Sequence, residues 1–584
     1  MNPSRVLKKY LMLFIKFAVG LFPKGIRAWF KQSPVLTSFY SRSLQKSGLF
    51  YGFPSRKKLD ALYTKNRLIQ NNLISDYKRF QRCEFSIVIL VPNGKQGLLQ
   101  VTLESLSKLV DTDLSVFILC DDRYLIECKN ISDKYLSSFN NIKLDSTLAS
   151  NKNTSAFFMY SGDILHPLIG FVILHYAAKY SDILYVDTDC IEKQKHTNPH
   201  MLPDWNPELQ LSTAYVNTGV WISNIKVLLD DNFKAKIESV AIQVAKFALT
   251  NNIEVGHIPL VLLSRVRKES ISLDKFSTLL SSIVGSSVNM SFDKSTEVIA
   301  LQWPIDSEPL VSLIIPTKNG KDLVQACIES ILHKTSYVNF EILLVDNNSD
   351  EIESLNYFAE LNKHPKIRLL KYPQAFNYSS INNFAVSKAK GSVIGLINND
   401  IEVISENWLS SMLGWVLKEE IGCVGAKLLY SDGRIQHAGV VLGYGGGAGH
   451  AHKYFPRYHP GYLKRLAATG NYSAVTAACL LVKKTDYLKV GGLDESLQVA
   501  FNDVDFCLKV LSLGKRNVYC AEAELYHYES ISRGFDDTHE KRTRFMRELN
   551  YLQTSWANYI EYDPAYNPNL TLSRENFAIK EYKN

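Results

Sequence analysis

Hydrophobic and polar positions follow the same order in two segments of the chain. Each segment has an apolar strand, a turn containing Asn-Gly-Lys, an amphipathic helix and a second apolar strand that ends in Asp. The spacing also agrees, because 17 residues separate Glu104 from Asp121 and 17 separate Glu329 from Asp346. Equal spacing predicts an internal repeat, and strand-helix-strand units predict parallel strands with right-handed connections. The two segments begin FSIVILVPNGKQGLLQVTLESLSKL and VSLIIPTKNGKDLVQACIESILHK.

The second copy contains several strands that end in polar residues. A further strand and helix precede the buried strand SVIGLI, which ends in Asn398-Asn399-Asp400. Thr317, Asp346 and Asp400 thus lie at carboxyl ends of strands, where open α/β sheets bind ligands. Asp also favours turns, which explains any one of these positions without a ligand. Together they favour a site for a divalent cation and a nucleotide.

Length and composition indicate several globular domains. A chain of 584 residues exceeds the size of a single core. Its 46% hydrophobic and 21% charged residues exclude a disordered, collagen-like or wholly membrane-embedded chain. The nine cysteines are scattered and form no CxxC pair. They argue against a disulfide framework or a zinc ribbon, and favour a reducing compartment such as the cytoplasm.

Basic residues are concentrated at the N-terminus. No Asp or Glu precedes Asp60, whereas Lys and Arg occur twelve times there, so the net charge of +8 becomes −4 from that residue onward. This distribution argues against nucleic-acid binding by the folded body. The apolar run Tyr10–Phe22 has 13 residues, too few to span a bilayer. We expect it to lie on the anionic inner face of the cytoplasmic membrane, with docking on the protein's own body as the alternative.

With these motifs in order, the segment from Pro309 to Arg533 resembles the family 2 glycosyltransferases with their GT-A nucleotide-sugar fold. VSLIIPTKNG is similar to the family's opening strand, EILLVDNNS to its nucleotide-contacting motif and LINND to its metal-binding motif. Four later stretches resemble a subgroup that builds bacterial surface polysaccharides, often by hexosyl or rhamnosyl transfer: GAKLLYSDGRIQHAGVVLG, NYSAVTAACLLV, GGLDESLQVAFNDVDFCLKV and AELYHYES.

The resemblance implies roles for the residues at the strand ends. Asp400 would bind a divalent cation that bridges the donor diphosphate, and His527 would be an additional metal ligand. Mixed oxygen and imidazole ligation suits Mn²⁺, with Mg²⁺ as the alternative. The metal motif departs from Asp-x-Asp because its first position is an amide, which brings no charge. The residues that would contact the nucleotide-sugar donor are Thr317, Asp346, Asn398 and Asn399. Thr317 and Asp346 would contact its pyrimidine nucleoside.

The resemblance also implies a catalytic base. Asn502-Asp503-Val504-Asp505 is similar to the family's Glu-Asp base motif, again with an amide in place of the first carboxylate. Asp503 would be the base and Asp505 a structural neighbour. A carboxylate opposite the departing nucleoside diphosphate deprotonates the acceptor hydroxyl, and one displacement inverts the anomeric centre. The alternative is that Asp503 caps the helix that follows and Asp505 complements its dipole.

The first copy lacks these features. Asp187-Thr188-Asp189 spells a literal DXD, but the segment that matches the metal motif of the second copy is FFMYSGD, in which only Asp163 is acidic. No stretch of the first copy matches the base motif. We therefore expect an inactive, degenerate domain that serves packing or acceptor binding, with a second active centre as the alternative.

The predicted fold class is α/β, with two GT-A-like (Rossmann-like, mostly parallel sheet) domains, an N-terminal helical arm and a C-terminal helical tail. The expected boundaries are 1–80 for the basic, amphipathic, membrane-associating arm and helix, 81–273 for the degenerate copy, 274–308 for a linker, 309–535 for the catalytic domain and 536–584 for a helix and tail.

The predicted function is that of an inverting, metal-dependent glycosyltransferase. It would move a sugar from a UDP- or dTDP-linked donor to a growing, lipid-linked cell-surface polysaccharide such as an O-antigen, on the inner face of the cytoplasmic membrane. Two alternatives stay open. A non-catalytic scaffold or glycan-binding subunit is favoured by the amides at Asn398 and Asn502. A nucleotidyltransferase usually has a basic, Gly-rich triphosphate loop after its first strand, which PTKNGKDL resembles poorly.

Overall fold

Two α/β units of the same topology make up most of the folded chain, joined by a helix and a hairpin. The computed structural model describes residues 14, 21–23, 56–78, 83–110, 112–139, 141–145, 155–180, 182–225, 239–250, 253–266, 272–528 and 538–582. The predicted membrane-associating run lies almost wholly outside these described residues. Within the described residues, no helix combines the length and the apolar character needed to cross a membrane.

The first unit extends from residue 83 to residue 265 and follows a long helix, α1 (Arg56–Ser75), in a segment that the sequence predicts as one amphipathic helix. Its helices are α2 (Leu99–Leu106), α3 (Leu125–Ser132), α4 (Ile169–Ala177), α5 (Pro207–Thr213) and α6 (Ser239–Ala248). Its strands are β1 (Cys83–Leu90), β2 (Thr112–Leu119), β3 (Asn141–Asp145), β4 (Ala156–Tyr160), β5 (Asp163–Leu165), β6 (Ile183–Glu192), β7 (Lys195–His200), β8 (Val220–Ile222) and β9 (Val255–Arg265).

The connection and the second unit follow in chain order. Helix α7 (Leu273–Val284) and the hairpin β10 (Asn289–Asp293) and β11 (Val298–Gln302) form the connection. The second unit extends from residue 311 to residue 527, with helices α8 (Lys321–Lys334), α9 (Ile352–Leu361), α10 (Tyr378–Lys388), α11 (Trp408–Val416), α12 (Lys484–Lys489) and α13 (Asn502–Leu511). Its strands are β12 (Val311–Thr317), β13 (Phe340–Asp346), β14 (Ile367–Lys371), β15 (Val393–Ile397), β16 (Ile401–Val403), β17 (Ile421–Leu429), β18 (Ile435–His437), β19 (Val440–Leu442), β20 (Ala448–His450), β21 (Gly470–Asn471), β22 (Cys479–Lys483) and β23 (Arg516–His527).

The two sheets have the same strand order and the same strand directions. The order is β3-β2-β1-β4-β8-β6-β9-β5 in the first unit and β14-β13-β12-β15-β22-β17-β23-β16 in the second. In both, the first four strands are parallel, the fifth is antiparallel to both neighbours, and the last is antiparallel to the strand before it. The match confirms the predicted internal repeat and extends it to the whole sheet.

The central strands of the second unit are apolar because helices cover both faces of a parallel sheet. Every residue of β13 is buried, as are all but one of the residues of β12. Adjacent strands β13, β12 and β15 end at one edge of the sheet, with Thr317 opposite Asp346 in the β12–β13 ladder. The polar residues that end these strands are thereby brought to that edge.

One apolar core runs through both units and the connection between them. Ala241 and Ile242 of α6, Phe276 of α7 and Val311 of β12 belong to the same buried cluster. An ion pair reinforces this contact, because Arg516 Nη2 at the start of β23 lies 2.9 Å from a Glu208 carboxylate oxygen on α5. The two units therefore share a hydrophobic interior rather than meeting across a polar surface.

The chain ends with helices α14 (His539–Ser555) and α15 (Ala557–Glu561) and an extended tail. The tail contacts both units, because Asn567 Nδ2 donates to Asp187 Oδ2 in the first (2.8 Å) and Asp563 Oδ2 accepts from the Leu442 N–H in the second (2.7 Å). The tail therefore contacts both units rather than the second unit alone.

Candidate active site

The strand ends of the second unit bring together the residues that the sequence predicts to bind the donor. Thr317 is the last residue of β12, Asp346 the last of β13, and Asn399 is the second residue after β15. Asn399 Nδ2 donates a hydrogen bond to Thr317 Oγ1 at 2.9 Å. Asp346 Oδ1 accepts from the Ser349 N–H at 3.0 Å, so this carboxylate also stabilises the turn that follows β13.

Asp400 and His527 lie next to each other, as the pairing of β16 with β23 requires. Ile401 is opposite His527 in this antiparallel ladder, and the Tyr528 N–H donates to the Asp400 backbone oxygen at 3.0 Å. The Asp400 Oδ1 and His527 Nε2 atoms are 3.1 Å apart. Asn398 Nδ2 lies 3.2 Å from the same imidazole nitrogen, which joins all three residues in one cluster.

Gln436 determines which nitrogen of His527 faces the carboxylate. Its Oε1 atom lies 2.9 Å from His527 Nδ1, an arrangement that suits the tautomer with the proton on Nδ1 and the Nε2 lone pair towards Asp400. The buried Asp400 Oδ1 receives no hydrogen bond from the described residues. A carboxylate oxygen and an imidazole lone pair that face each other at this distance fit a shared cation, and a ligating histidine generally donates its other N–H to such an acceptor.

The side chains that could ligate a metal ion are few, but their chemistry suits a divalent cation. Among the residues that the structure describes, no three His, Cys, Asp or Glu side chains converge on one point. Asp400 and His527, with the Asn398 amide beside them, are the side chains here that a cation could contact. Oxygen and nitrogen ligands of this kind fit Mn²⁺, and carboxylate oxygen fits Mg²⁺.

Asp503 is the second residue of α13, and Phe501 occupies the capping position. The capping alternative for Asp503 is therefore wrong. Its Oδ2 atom accepts from the Ala477 N–H at 3.1 Å and its Oδ1 atom from the Val504 N–H at 2.9 Å. Burial raises the pKa of Asp503, although these hydrogen bonds oppose the effect.

A short segment before β22 joins the Asp503 carboxylate to the metal motif. The Ala477 N–H donates to Asp503, and the next residue, Ala478, accepts from the Asn398 N–H at 3.0 Å. The preceding Thr476 N–H donates to His437 Nε2 at 3.2 Å. Consecutive backbone groups therefore fix the base motif, the metal motif and a buried histidine relative to one another.

Two neighbours of the site are held in place by their surroundings. Burial lowers the pKa of His437 to about 4, so the ring is neutral and accepts from Thr476. Asp505 is held by the Trp556 Nε1–H (2.9 Å) and by Lys509 Nζ, 2.7 Å from its second oxygen. These contacts agree with a structural role for Asp505.

The glycine-rich segment 443–449 packs against α14. Gln553 Nε2 donates to the Gly446 oxygen at 2.7 Å. A Cβ atom on Gly447 would lie 2.7 Å from Leu549 Cδ1, so a larger residue there would require the leucine side chain to move. The sequence pattern suggests a mobile loop over the site, and the structure ties the loop to a helix outside the second unit.

The first unit has no counterpart of the base at the matching position. Val255 and Arg516 each pair with the first residue of the neighbouring parallel strand. Counted back from these two residues, Ile242 lies at the position of Asp503, because each is 13 residues before the strand start. Counted along the helices, which have ten residues each, the second residue of α6 is Val240, as the second of α13 is Asp503. Both Val240 and Ile242 are apolar and buried, so neither count places a carboxylate there.

The acidic residues of the first unit have partners that hold them in place. Asp163, which follows β4 as Asp400 follows β15, accepts from the Tyr160 N–H and from Thr218 Oγ1, both at 3.0 Å. Asp187 and Asp189 lie on β6 rather than at the metal position. Asp187 contacts His257 and Asn567, and Asp189 accepts from Tyr63 and contacts His196.

The structure is that of an α/β protein in which polar residues end neighbouring parallel strands at one sheet edge, as in nucleotide-binding folds. The Asp400 carboxylate and the His527 imidazole lie beside this edge. Residues 312–484 match the family model Glycosyl transferase family 2. This unit of the chain belongs to glycosyltransferase family 2. The predicted fold class, two GT-A-like α/β units with helices at both ends, is confirmed by the paired sheet topologies.

Several known proteins are similar to longer or shorter parts of the chain. The protein y4gI of Sinorhizobium fredii (strain NBRC 101917 / NGR234) is 50% identical over 279 residues, which are 47% of this chain and 31% of that protein. The O-antigen biosynthesis protein RfbC of Myxococcus xanthus is 29% identical over 541 residues, covering 85% of this chain and 41% of that protein. This chain thus spans less than half the length of either relative.

A solved structure of GalNAc-T7 with UDP, GalNAc and Mn²⁺ is 15% identical and superposes with a TM-score of 0.36. The superposition covers 49% of this chain and 55% of that chain.

Proposed function

We propose that the second unit is an inverting, metal-dependent glycosyltransferase that uses a nucleotide-sugar donor. The observation that carries the proposal is the arrangement around Ala477 and Ala478. Their backbone groups bond Asp503 on one side and Asn398 on the other, so a base and a metal motif lie across one short segment. Membership of residues 312–484 in glycosyltransferase family 2 supports the same chemistry.

The donor nucleotide would lie at the ends of β12 and β13. Thr317 and Asp346 offer a hydroxyl and a carboxylate to a pyrimidine nucleoside, which makes UDP and dTDP the expected carriers. Asn398 and Asn399 bring amide groups to the part of the donor nearer the metal. The hydrogen bond from Asn399 to Thr317 orders these groups before the donor binds, which lowers the entropy cost of binding.

Asp400 and His527 would hold a divalent cation, Mn²⁺ or Mg²⁺, beside the donor diphosphate. When bound, such an ion stabilises the negative charge that develops on a departing diphosphate. His527 is prepared for this role because Gln436 accepts from its Nδ1–H and directs Nε2 towards Asp400. The uncharged Asn398 leaves the protein's contribution at one negative charge, so we expect weaker ion binding than two carboxylates would give.

Asp503 would accept the proton of the acceptor hydroxyl. As that O–H bond breaks, the oxygen forms a bond to the anomeric carbon, and the bond from this carbon to the diphosphate oxygen breaks with its electron pair. The nucleoside diphosphate leaves, Asp503 holds the proton, and the anomeric configuration is inverted by the single displacement. A pKa raised by burial makes Asp503 a stronger base than an exposed carboxylate.

The acceptor is proposed to be a growing, lipid-linked surface glycan, and the sugar a hexose or a rhamnose. RfbC of Myxococcus xanthus is named as an O-antigen biosynthesis protein, which supports this class of product. The basic N-terminal sequence would bring the cytoplasmic enzyme to the anionic membrane that holds such an acceptor. The first unit is proposed to be non-catalytic, since the buried, apolar Val240 and Ile242 occupy the part of α6 that corresponds to the base position of α13.

Thermal unfolding tests the donor site without an acceptor. We would measure the melting temperature with UDP, dTDP, GDP or CMP, each with and without Mn²⁺, for the wild type, for Asp400→Ala and for the exposed-site control Asp306→Ala. A rise that needs both one pyrimidine diphosphate and Mn²⁺ is expected in the wild type and the control, and not in Asp400→Ala. No rise with any nucleotide would contradict the proposal and favour a non-catalytic scaffold.

A further inference from the structure

Helix α14 brings a buried carboxylate to the loop that precedes the base. Glu548 is 1% exposed, although glutamate is rarely buried without partners. Its Oε1 atom accepts from the backbone N–H groups of Gln498 (3.0 Å) and Val499 (3.2 Å), and its Oε2 atom accepts from that of Ala500 (2.9 Å). One side chain thus holds three consecutive backbone groups.

The loop held in this way determines where α13 begins. Ala500 is followed by Phe501, whose φ of 61° is in the left-handed region that a bulky residue seldom adopts. The Asp505 N–H donates to the Phe501 oxygen at 2.9 Å, which forms the first helical turn with Asp503 inside it. The unfavourable conformation at Phe501 has to be stabilised by the surrounding contacts, and Glu548 supplies those immediately before it.

Other contacts from α14 act on the same region. The Phe545 ring packs 5.5 Å from the Phe501 ring, measured between centroids. Tyr551 Oη donates to Asp494 Oδ2 at 2.8 Å, at the start of the loop. Trp556 Nε1 donates to Asp505 on α13 itself. The helix and the residue after it thus contact the loop and α13 on both sides of Asp503.

We propose that Glu548 is a positioning residue that fixes the Asp503 carboxylate for proton transfer by holding the backbone of residues 498–500. The inference rests on the proposed function of the second unit. Residue 548 lies outside the segment that matches the family model. The carboxylate is suited to the task because charged acceptors form the stronger hydrogen bonds with N–H groups. Arg544 Nε is 3.9 Å from Oε2 and balances part of the buried charge.

The test replaces Glu548 with glutamine, which keeps the size but presents one oxygen and one NH₂ group. At least one of the three N–H groups then loses its acceptor. We would compare the wild type, Glu548→Gln, the exposed control Glu540→Gln on the same helix, and Asp503→Asn. The measured rate is the release of UDP or dTDP from UDP-glucose, UDP-N-acetylglucosamine and dTDP-rhamnose with Mn²⁺, with water as the acceptor of the sugar.

We expect Glu548→Gln to lower kcat roughly 10- to 100-fold, because a small displacement of a reacting group costs about that much. KM for the donor and the Mn²⁺-dependent thermal shift with the nucleotide should not change, because the residues proposed to bind the donor lie at strand ends and not on α13. Glu540→Gln should behave as the wild type. Glu548→Asp keeps the charge on a shorter side chain, so its kcat should lie between those of the wild type and Glu548→Gln. It replaces Glu548→Gln if that variant does not fold.

The outcomes separate this inference from the proposed function. If the wild type is active, Asp503→Asn is inactive and both Glu548 variants keep full kcat, the positioning role is overturned. Equal losses in kcat and in the nucleotide-induced thermal shift would also overturn it, since they indicate a general loss of structure. If the wild type turns over no donor, the proposed function fails. Hydrogen exchange of the backbone amides of residues 498–500 then decides whether Glu548 holds this loop. Unchanged exchange rates in Glu548→Gln would contradict that role.

Discussion

Asp503 must be ionised to accept a proton, yet its surroundings favour the neutral form. Burial raises its pKa, so on acidification it takes up a proton at a higher pH than an exposed aspartate. We expect the acid side of the kcat/KM profile to have its midpoint above the ordinary value of about 3.9. The profile between pH 3 and pH 8 measures it, and a midpoint at or below that value would contradict this environment. Asp503→Asn should lower kcat by about 10²- to 10⁴-fold at all pH values.

Single residues were predictable from sequence where a strand end or a motif marked them. Asp400 and His527 are such positions, and the structure brings their side chains together. Gln436 and Glu548 were not predictable. Gln436 meets His527 only because β18 pairs with β17 beside β23, and Glu548 meets its three N–H groups across about 50 residues of chain. Contacts of this kind depend on tertiary structure and leave no spacing pattern.

At the scale of elements, α6 and α13 are equivalent helices with different surroundings. Ile242 of α6 is buried in the shared core, in the helical turn that corresponds to the one holding Asp503 in α13. We expect Ile242→Asp to lower the free energy of unfolding by about 3 kcal/mol or more and to create no second active centre, because a carboxylate there would be buried without a partner.

Urea unfolding checks this expectation, with Ile126→Asp as the matched control. Ile126 of α3 is 78% exposed, so the same substitution there should change stability by less than about 0.5 kcal/mol. A similar loss of stability in both variants would show that the buried position of α6 has no special importance.

The repeated strand-helix-strand elements were predictable because apolar runs, turns and amphipathic helices have distinct periods. The hairpin β10–β11 was harder to predict from the sequence, because its strands have only five residues each and are partly buried. The short antiparallel strands β5 and β16 were also missed as strands, because three residues carry too little pattern. They matter to the site, since β16 aligns Asp400 with His527.

At the scale of the whole molecule, His257 links the first unit to the C-terminal tail. Its ring nitrogens lie 3.0 Å from Asp187 and 3.0 Å from Asp204, which in turn accept from Asn567 and Tyr562 of the tail. Burial alone would lower the pKa of His257, but the two carboxylates outweigh it and raise the pKa to about 9.

A pKa that is higher in the folded than in the unfolded protein stabilises the fold while the group is protonated. The contribution of His257 should be complete below pH 6.5, the ordinary value, and should disappear as the pH rises through about 9. It amounts to about 3 kcal/mol from the size of the shift. Urea unfolding at pH 6, 8 and 9.5 should show wild type and His257→Gln converging with increasing pH, and a constant difference would contradict the assignment.

The shared core of the two units has a consequence for how substrates enter and leave. Domains that meet at small polar surfaces commonly rotate about a hinge, whereas a large apolar contact opposes such rotation. Here α6, α7 and β12 contribute to one buried cluster, and the Glu208–Arg516 pair joins the units at its border. Access to the strand edge must then come from local movement of loops within the second unit. The rate of product release would accordingly be set by loop kinetics, and a rigid link across the interface would leave turnover unaffected.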